Sequence, residues 1–194
     1  MPHSKKAGKA TIQEWVVILK AEGEIRHNRV LDLGVGSGGY YNWFNHRYVG
    51  KDKDWAIDKG ELAGAHWTGI EVWTPYIKEF DLETKYNTLV NEDIRIVNYS
   101  ALGLFDVAFA GDVLEHMSKE DAVSVVDKVL KVSKYLMINI PIIHYPQGES
   151  HGNPYEEHIK DDWSHEEMLS TFPQIIKSKP SRRVGVYMLT KNDN

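Results

Sequence analysis

The segment VLDLGVGSGGYYNWF, residues 30–44, constrains the fold of this chain more than any other part of the sequence. Residues 30–33 form a short apolar run that fits a buried strand, and residues 38–47 have the pattern of a helix. The glycines between them allow a tight turn in which the backbone can approach a ligand closely. This order predicts the first unit of a parallel sheet, with a ligand at the carboxyl end of the strand.

The rest of the chain continues the alternation of strands and helices. Further strands are predicted over residues 67–72, 87–91, 105–110, 135–140, 174–177 and 183–190. Alternating strands and helices form a parallel sheet, and the turn at Pro180-Ser181 between the last two strands indicates an antiparallel hairpin. We therefore predict an α/β fold: a single-domain Rossmann-like sandwich over residues 1–194, with a mostly parallel seven-stranded sheet, an antiparallel C-terminal hairpin and helices on both faces.

Several short motifs mark where helices begin. Capping boxes start at Thr11, Ser118 and Ser164, each with an acidic residue three positions later. The first of them predicts an N-terminal helix within residues 1–27. A threonine–proline pair predicts the cap of another helix over residues 74–85, because proline is favoured in the first turn.

Two stretches are too long to be simple connections. Residues 48–66 precede the second strand and residues 142–163 follow the fifth, and long loops in compact domains are often functional. The first stretch does not fit a calcium loop, because Ala56 and Ile57 stand where an acidic residue and a glycine are required. A flap and an oligomer contact, hence a homo-oligomer, both remain open for it. The second stretch is expected to cover the ligand pocket.

Composition limits the classes of function. The chain has 194 residues, 42% of them hydrophobic, with a formal net charge of -5, which fits one sizeable core and argues against sequence-independent binding of nucleic acid. It contains no cysteine, so disulfides, thiolate metal sites and cysteine nucleophiles are excluded. We find no signal peptide and no run of about 20 apolar residues, and therefore expect a cytoplasmic protein that does not cross a membrane.

The glycines alone do not identify the ligand. Gly34, Gly36 and Gly39 fit the G-x-G-x-x-G of a dinucleotide site. Asp32 instead begins the D-x-G-x-G-x-G of an S-adenosylmethionine (SAM) site, which ends at Gly38. A carboxylate inside the strand suits a ligand with an ammonium and a sulfonium group better than it suits a pyrophosphate.

Residues outside the turn also favour SAM. Glu71 ends the second strand, where a carboxylate can accept both ribose hydroxyls of either ligand. Glu92 and Asp93 follow the third strand, where a carboxylate can bind an adenine amino group. The chain closes with an antiparallel pair, lacks a second mononucleotide-binding half and has no Tyr-x-x-x-Lys arrangement for hydride transfer.

Five segments follow the order seen in class I SAM-dependent methyltransferases, and the chain resembles this family over roughly residues 28–142. The segments are VLDLGVGSGG, TGIEVW, VNEDI, FDVAFAGDVLEH and YLMINIP. FDVAFAGDVLEHM is similar to the fourth-strand segment of small-molecule methyltransferases of the ubiquinone-biosynthesis type. The resemblance implies an enzyme that transfers the methyl group of SAM to a small-molecule acceptor, with an oxygen as a candidate acceptor atom.

The resemblance also implies a set of SAM-binding residues. Asp32 would support the turn and face the ammonium group, Glu71 would bind the ribose and Asp93 would hold the adenine. Gly111 and Asp112 would lie against the methionine part, at the mouth of the transfer site. The full predicted set is Asp32, Gly34, Gly36, Gly38, Tyr40, Glu71, Val72, Asp93, Ile94, Gly111 and Asp112.

Each of these assignments has a structural alternative. Asp32 could cap its own loop, and Glu71 could be a surface carboxylate. Asp93 could cap the following turn, and Asp112 could satisfy loop amides. Tyr40 belongs to an aromatic group that fits a core, although it follows the glycines directly and could contact SAM.

Asp112, His116 and His158 are the candidates for catalysis. An acceptor with a high pKa needs a general base within reach, and histidine or a carboxylate can serve. His116 could equally be a packing residue, and the polar loop that contains His158 could be largely solvated. The histidines of that loop are spaced by seven residues, which matches no common metal pattern, so we predict no metal site.

Other functions remain open from the sequence. An RNA or tRNA methyltransferase would have a basic surface around the cleft. A SAM-binding protein without transferase activity would have a pocket too closed for an acceptor. A nicotinamide-dependent oxidoreductase would bind NAD(P)H and not SAM.

Overall fold

The computed structural model describes residues 6–49, 54–56 and 60–191. The strands are β1 (Arg29–Leu33), β2 (Arg47–Val49), β3 (Asp54–Ala56), β4 (His66–Ile70), β5 (Thr88–Val90), β6 (Phe105–Gly111), β7 (Ser133–Pro141), β8 (Ile175–Pro180) and β9 (Val184–Thr190). The α-helices are α1 (Lys6–Ala21), α2 (Gly39–Asn45), α3 (Thr74–Glu79), α4 (Leu82–Lys85), α5 (Lys119–Leu130) and α6 (His165–Thr171), and 3-10 turns span Tyr99–Leu102, Leu114–His116 and Pro154–Glu156.

Seven strands form one sheet in the order β5-β4-β1-β6-β7-β9-β8. The first five in this order are parallel, and β9 runs antiparallel to both β7 and β8. The predicted fold class is therefore confirmed, including the closing hairpin. That residues 1–194 form a single domain stays a prediction.

The two faces of the sheet bury separate clusters of apolar side chains. Because successive side chains of a strand point to opposite faces, Val30 joins one cluster and Leu31 joins the other. The first cluster includes Trp15 of α1 and Phe44 of α2, and the second includes Val125 of α5. Helices thus cover both faces, as the alternating pattern predicts.

Two of the three predicted capping boxes begin helices. The hydroxyl of Ser118 accepts a hydrogen bond from the backbone of Asp121, and that of Ser164 accepts one from Glu167. The box at Thr11 was wrong, because Thr11 lies inside α1. The residues before it are mainly lysine and alanine, which favour helix. The lack of a side chain at Gly8 also lets the first turns of α1 approach β7 closely, because a Cβ there would lie 2.0 Å from Asn139 Oδ1.

The single helix predicted over residues 74–85 is divided into α3 and α4. Asp81, between them, has a φ of 49°, which lies in the left-handed region and ends the helical ladder. Thr74 does not cap α3, because it is the first residue of that helix and its hydroxyl donates to Asn91 Oδ1 at 2.8 Å. The prediction was wrong because the threonine has a tertiary partner.

The two long stretches have local structure of their own. In residues 48–66, β2 pairs antiparallel with β3, while residues 50–53 and 57–59, which hold much of the calcium-like sequence, lie outside the described residues. In residues 142–163, a 3-10 turn spans Pro154–Glu156, and the amides of Ile159 and Lys160 donate to the carbonyl oxygen of Glu115. This second loop is therefore fixed to the segment that follows β6.

Every helix in the described part of the chain is too short or too polar to cross a membrane.

Candidate functional site

A cleft opens at the carboxyl ends of the parallel strands, where β1 lies between β4 and β6. The chain leaves β1 toward β4 on one side and returns to β6 on the other, and ligands of open α/β sheets bind at such a point. The cleft encloses about 880 Å³, open solvent at its mouth included. Its walls come from α1, the turn after β1, the segments after β4, β5 and β6, and the loop of residues 142–163.

Most of the predicted site residues lie in these walls. The predicted residues that line the cleft are Gly34, Gly36, Tyr40, Glu71, Val72, Asp93, Ile94, Gly111, Asp112 and His116. Asp32, Gly38 and His158 are not part of the lining. Segments that are far apart in the sequence are thus brought together, as the order of the motifs predicts.

The turn after β1 has a backbone that only glycine adopts easily. Gly34 and Gly36 have φ angles of 61° and 50°, in the left-handed region, and both line the cleft. A Cβ at Gly34 would lie 2.5 Å from a methyl carbon of Val113. The turn therefore presents backbone, rather than side chains, to the cleft.

Glu71 is a buried carboxylate at the end of β4. Its side chain accepts hydrogen bonds from the backbone amides of Gly36, at 2.9 Å, and Trp73, at 2.7 Å. Burial raises the pKa of Glu71 to about 7, although both amides favour the charged form. With 5% of its surface exposed, it is not the surface carboxylate that the sequence left open.

Asp32 lies outside the cleft wall. It is 1% exposed and accepts a hydrogen bond of 2.6 Å from the hydroxyl of Tyr86. Burial raises the pKa of Asp32 to about 7, against the hydrogen bond from Tyr86 and the positive charge of Lys9. The geometry of the described residues therefore does not support direct contact of Asp32 with a ligand ammonium, and the turn amide of Gly36 is held by Glu71 instead.

Asp93 combines a place in the wall with a local structural role. It accepts hydrogen bonds from the backbone and side chain of Arg95, at 2.9 Å from the amide and 2.5 Å from Nη2. Burial disfavours its charge, but the bonds from Arg95 prevail and lower the pKa of Asp93. The turn-capping alternative is thus realised, and Asp93 still borders the cleft.

Lys9 is a wall residue that the sequence analysis missed. It projects from α1 into the cleft, with Nζ 5.5 Å from the centre of the Tyr40 ring. Burial lowers the pKa of Lys9, while the charges of Asp32 and Asp112 oppose that shift. No motif surrounds this lysine, and only the packing of α1 across the sheet brings it to the site.

The segment after β6 forms another wall of the cleft. Gly111 lies against Tyr40, and a Cβ at Gly111 would be 2.1 Å from that ring. Tyr40 in turn stacks on Phe109 with ring centres 5.0 Å apart, so it is both a core and a wall residue. Asp112 has a φ of 50° and accepts a hydrogen bond of 3.2 Å from the side chain of Asn139.

The loop of residues 142–163 contributes a third wall. Asn153, Tyr155 and Glu156 line the cleft, and the hydroxyl of Tyr76 donates to Glu156 Oε1 at 3.3 Å. Burial raises the pKa of the Glu156 carboxyl. An acceptor in this part of the cleft would meet a polar wall with one carboxyl group, that of Glu156.

The two candidate histidines form a pair across 42 positions of sequence. Their ring centres are 4.8 Å apart, and only His116 lines the cleft. Burial lowers the pKa of His116 to about 4, so its imidazole is neutral near pH 7. Glu115 lies beside them, and the ligand atoms of all three side chains are within 4.8 Å of one another. The spacing of histidines within one loop could not reveal this cluster.

No protein-family model matches the chain, and no curated protein matches it significantly in sequence.

Solved structures of methyltransferases are similar to the chain over nearly its whole length. Magnesium protoporphyrin IX methyltransferase from Synechocystis, with bound SAM, is 14% identical at a TM-score of 0.59, covering 95% of this chain and 79% of its own. A SAM-dependent methyltransferase from Clostridium acetobutylicum is 10% identical at a TM-score of 0.62, covering 92% and 89%. The N-methyltransferase NodS from Bradyrhizobium japonicum is 11% identical at a TM-score of 0.58, covering 98% and 100%. The chain thus has the fold of class I SAM-dependent methyltransferases.

Proposed function

We propose that the protein binds SAM in this cleft and transfers its methyl group to a small-molecule acceptor, with a hydroxyl oxygen as the acceptor atom. The observation that carries the proposal is the buried carboxylate of Glu71, which borders the cleft at the end of β4 and is held by the glycine turn. In this fold, that position faces the space between the two halves of the sheet. Similar structures bind SAM or S-adenosylhomocysteine, and the same cofactor is proposed for this chain.

The wall residues fit the three parts of SAM. Asp93 and the backbone of Ile94 would hold the adenine, and Glu71 would accept hydrogen bonds from the ribose hydroxyls. The methionine part would lie along the backbone of Gly34 and Gly111, which both line the cleft. Lys9 supplies a positive charge at the same end of the cleft, where the methionine carboxylate would need one.

SAM supplies a methyl group that is already activated on a sulfonium, so the chain has two remaining tasks. It must hold the acceptor in line with the S–CH3 bond that breaks, and a basic group must take up the proton that the acceptor loses. Asp112 and His116 are the candidates in the wall for the second task. His158 touches His116 without lining the cleft, so it would act through His116.

The walls also favour a particular class of acceptor. The side chains of Asp112 and Glu156 border the acceptor side, so an anionic acceptor would meet repulsion there. The chain as a whole carries a formal net charge of -5, which does not suit a nucleic acid. A neutral or cationic metabolite fits this environment best.

Calorimetry with SAM, S-adenosylhomocysteine and NADH tests the cofactor assignment. We expect one equivalent of SAM and of S-adenosylhomocysteine to bind and NADH not to bind. No binding of SAM at millimolar concentration would contradict the proposal, and binding of NADH alone would favour the oxidoreductase. Transfer of label from methyl-labelled SAM to pooled small hydroxylated metabolites, but not to RNA, would then identify the acceptor class.

A further inference from the structure

The side chains of Glu115, His116 and His158 converge from two separate segments of the chain. Glu115 and His116 belong to the 3-10 turn after β6, and His158 belongs to the loop of residues 142–163. One ligand atom from each lies within 4.8 Å of the other two. A single ion between them would need only small adjustments to reach metal–ligand distances of about 2 Å.

Among the described residues, the buried carboxyl group of Glu115 is stabilised only in part, by its own backbone amide. Glu115 is 2% exposed, and its Oε2 atom is buried without a hydrogen-bond partner among the described residues. The acidic groups that act on it are Asp112 and Glu156, which add negative charge to its surroundings. A buried carboxylate is costly unless it is paired or coordinates a metal, so a cation bound here would compensate the charge of Glu115.

Backbone carbonyl oxygens hold one ring nitrogen of each imidazole. His116 Nδ1 lies 3.1 Å from the carbonyl oxygen of Glu157, and His158 Nδ1 lies 2.6 Å from that of Tyr145. A carbonyl oxygen only accepts hydrogen bonds, so each Nδ1 must carry the proton. Each Nε2 then keeps its lone pair, and metal-binding histidines are commonly fixed by backbone carbonyls in this way.

We propose that Glu115, His116 and His158 bind one divalent transition-metal ion. Two imidazoles and one carboxylate suit Zn²⁺, Co²⁺ or Mn²⁺ better than Mg²⁺ or Ca²⁺, which prefer oxygen ligands. Three protein ligands leave a coordination position open, as in catalytic rather than structural zinc sites. The amides of Ile159 and Lys160 already join the loop to Glu115, and the ion would add a link between the same two segments.

The location of the ion gives it a role toward the acceptor. Of the three ligands, only His116 lines the cleft, beside Asp112, so this role requires the open position to face that wall. A hydroxyl oxygen bound there would lose its proton to the Asp112 carboxylate more easily, because a bound dication stabilises the alkoxide. The metal site stands on its own geometry, whereas this role rests on the proposed function. His116 and His158 then act as ligands instead of free bases.

The site is tested by titrating the tag-free, chelator-treated protein with Co²⁺ and with Zn²⁺. Visible absorption and calorimetry monitor the binding. We expect one equivalent to bind and Co²⁺ to develop ligand-field bands. His158→Ala and Glu115→Gln should weaken binding by at least about 100-fold, since even the partners of metal ligands contribute 10- to 100-fold. His144→Ala, which removes an exposed histidine of the same loop, should bind the metal like the wild type.

Two results would overturn the proposal: no binding of either metal at millimolar concentration, or equal binding by wild type and His158→Ala. Far-ultraviolet circular dichroism of each variant ensures that loss of binding reflects the ligand and not unfolding. Calorimetry with SAM on the same chelated samples separates the two proposals. If SAM binds but neither Co²⁺ nor Zn²⁺ does, only the metal site is refuted. If a metal binds but SAM does not, only the proposed function is refuted.

Discussion

At the scale of single residues, Glu71 joins the glycine turn to the end of β4. Its two oxygens are held by backbone amides of Gly36 and Trp73, so the carboxylate is positioned before any ligand arrives. A group that is already ordered loses little conformational freedom on binding. This arrangement makes Glu71 the residue whose loss should most directly weaken a ligand that carries a ribose.

Replacing Glu71 with alanine should weaken SAM binding about 10- to 150-fold. Hydrogen bonds to a charged group contribute about 1.5–3 kcal/mol, which corresponds to that range. Glu79→Ala removes an exposed carboxylate of the neighbouring helix α3 and should leave the affinity unchanged. Calorimetry on both variants measures the effect, and an unaltered affinity in Glu71→Ala would remove this residue from the site.

Replacing Lys9 tests whether this residue binds the methionine end of the ligand and not its adenosine end. If its ammonium binds the methionine carboxylate, Lys9→Met should weaken S-adenosylhomocysteine about tenfold or more, as expected for a lost charge-assisted hydrogen bond. The same variant should bind 5′-methylthioadenosine as the wild type does, because that compound lacks the carboxylate. Lys131→Met, an exposed lysine after α5, provides the control. Equal losses for both compounds would assign Lys9 a structural role instead.

The sequence predicts those parts of the site that lie in contiguous motifs, and it does not predict contacts between distant segments. Glu71 and Gly34 belong to contiguous motifs at strand ends, and the parallel sheet brings such ends together. Lys9 lies in no motif, and the sequence names His116 and His158 as candidates without revealing that they pair. These contacts form only after α1 and the loop of residues 142–163 have packed on the sheet. Contacts of this kind depend on tertiary structure that a single sequence does not specify.

At the scale of secondary-structure elements, the same capping motif had two different outcomes. Ser118 and Ser164 lie at the start of helices with their own backbone extended, and Met117 before Ser118 is extended as well. Thr11 follows a stretch that continues the helix, and the approach of Gly8 to Asn139 stabilises those earlier turns. A capping box therefore specifies the start of a helix only where the preceding backbone does not already continue a helix.

Replacing Ser118 with alanine should lower the free energy of unfolding by about 1 kcal/mol, since the amide of Asp121 loses its side-chain acceptor. Ser118→Gly should cost only a few tenths of a kcal/mol, because glycine at this position permits solvation of the amide. Ser124→Ala, at an exposed position within α5, should be neutral or slightly stabilising. Urea denaturation measures all three, and equal stability of Ser118→Ala and wild type would show that the cap contributes nothing.

At the scale of the whole molecule, the fold buries carboxyl groups around the cleft. Burial raises the pKa of both Asp32 and Glu71 to about 7, well above their ordinary values. The folded protein therefore binds these protons more tightly than the unfolded chain does. Their contribution to stability is fully present below pH 4 and is lost as the pH rises toward 7. Asp93 and Glu167 have lowered pKa values, so their contribution is lost at the acidic end instead.

The variant Asp32→Asn isolates one of these groups in the pH dependence of global stability. Asparagine keeps an oxygen that can accept a hydrogen bond from the hydroxyl of Tyr86 but does not titrate, while the neighbouring Lys9 and Glu71 remain present. Between pH 4 and 7, the free energy of unfolding of the variant should rise relative to the wild type, by at most about 1.4 kcal/mol per pH unit. Urea denaturation across this range measures the difference, with the exposed Asp127→Asn as a control whose curve should run parallel to the wild type. If the curves of Asp32→Asn and wild type also ran parallel, Asp32 would titrate normally in the folded protein, and its burial beside the cleft would have to be compensated by more than Tyr86 and Lys9.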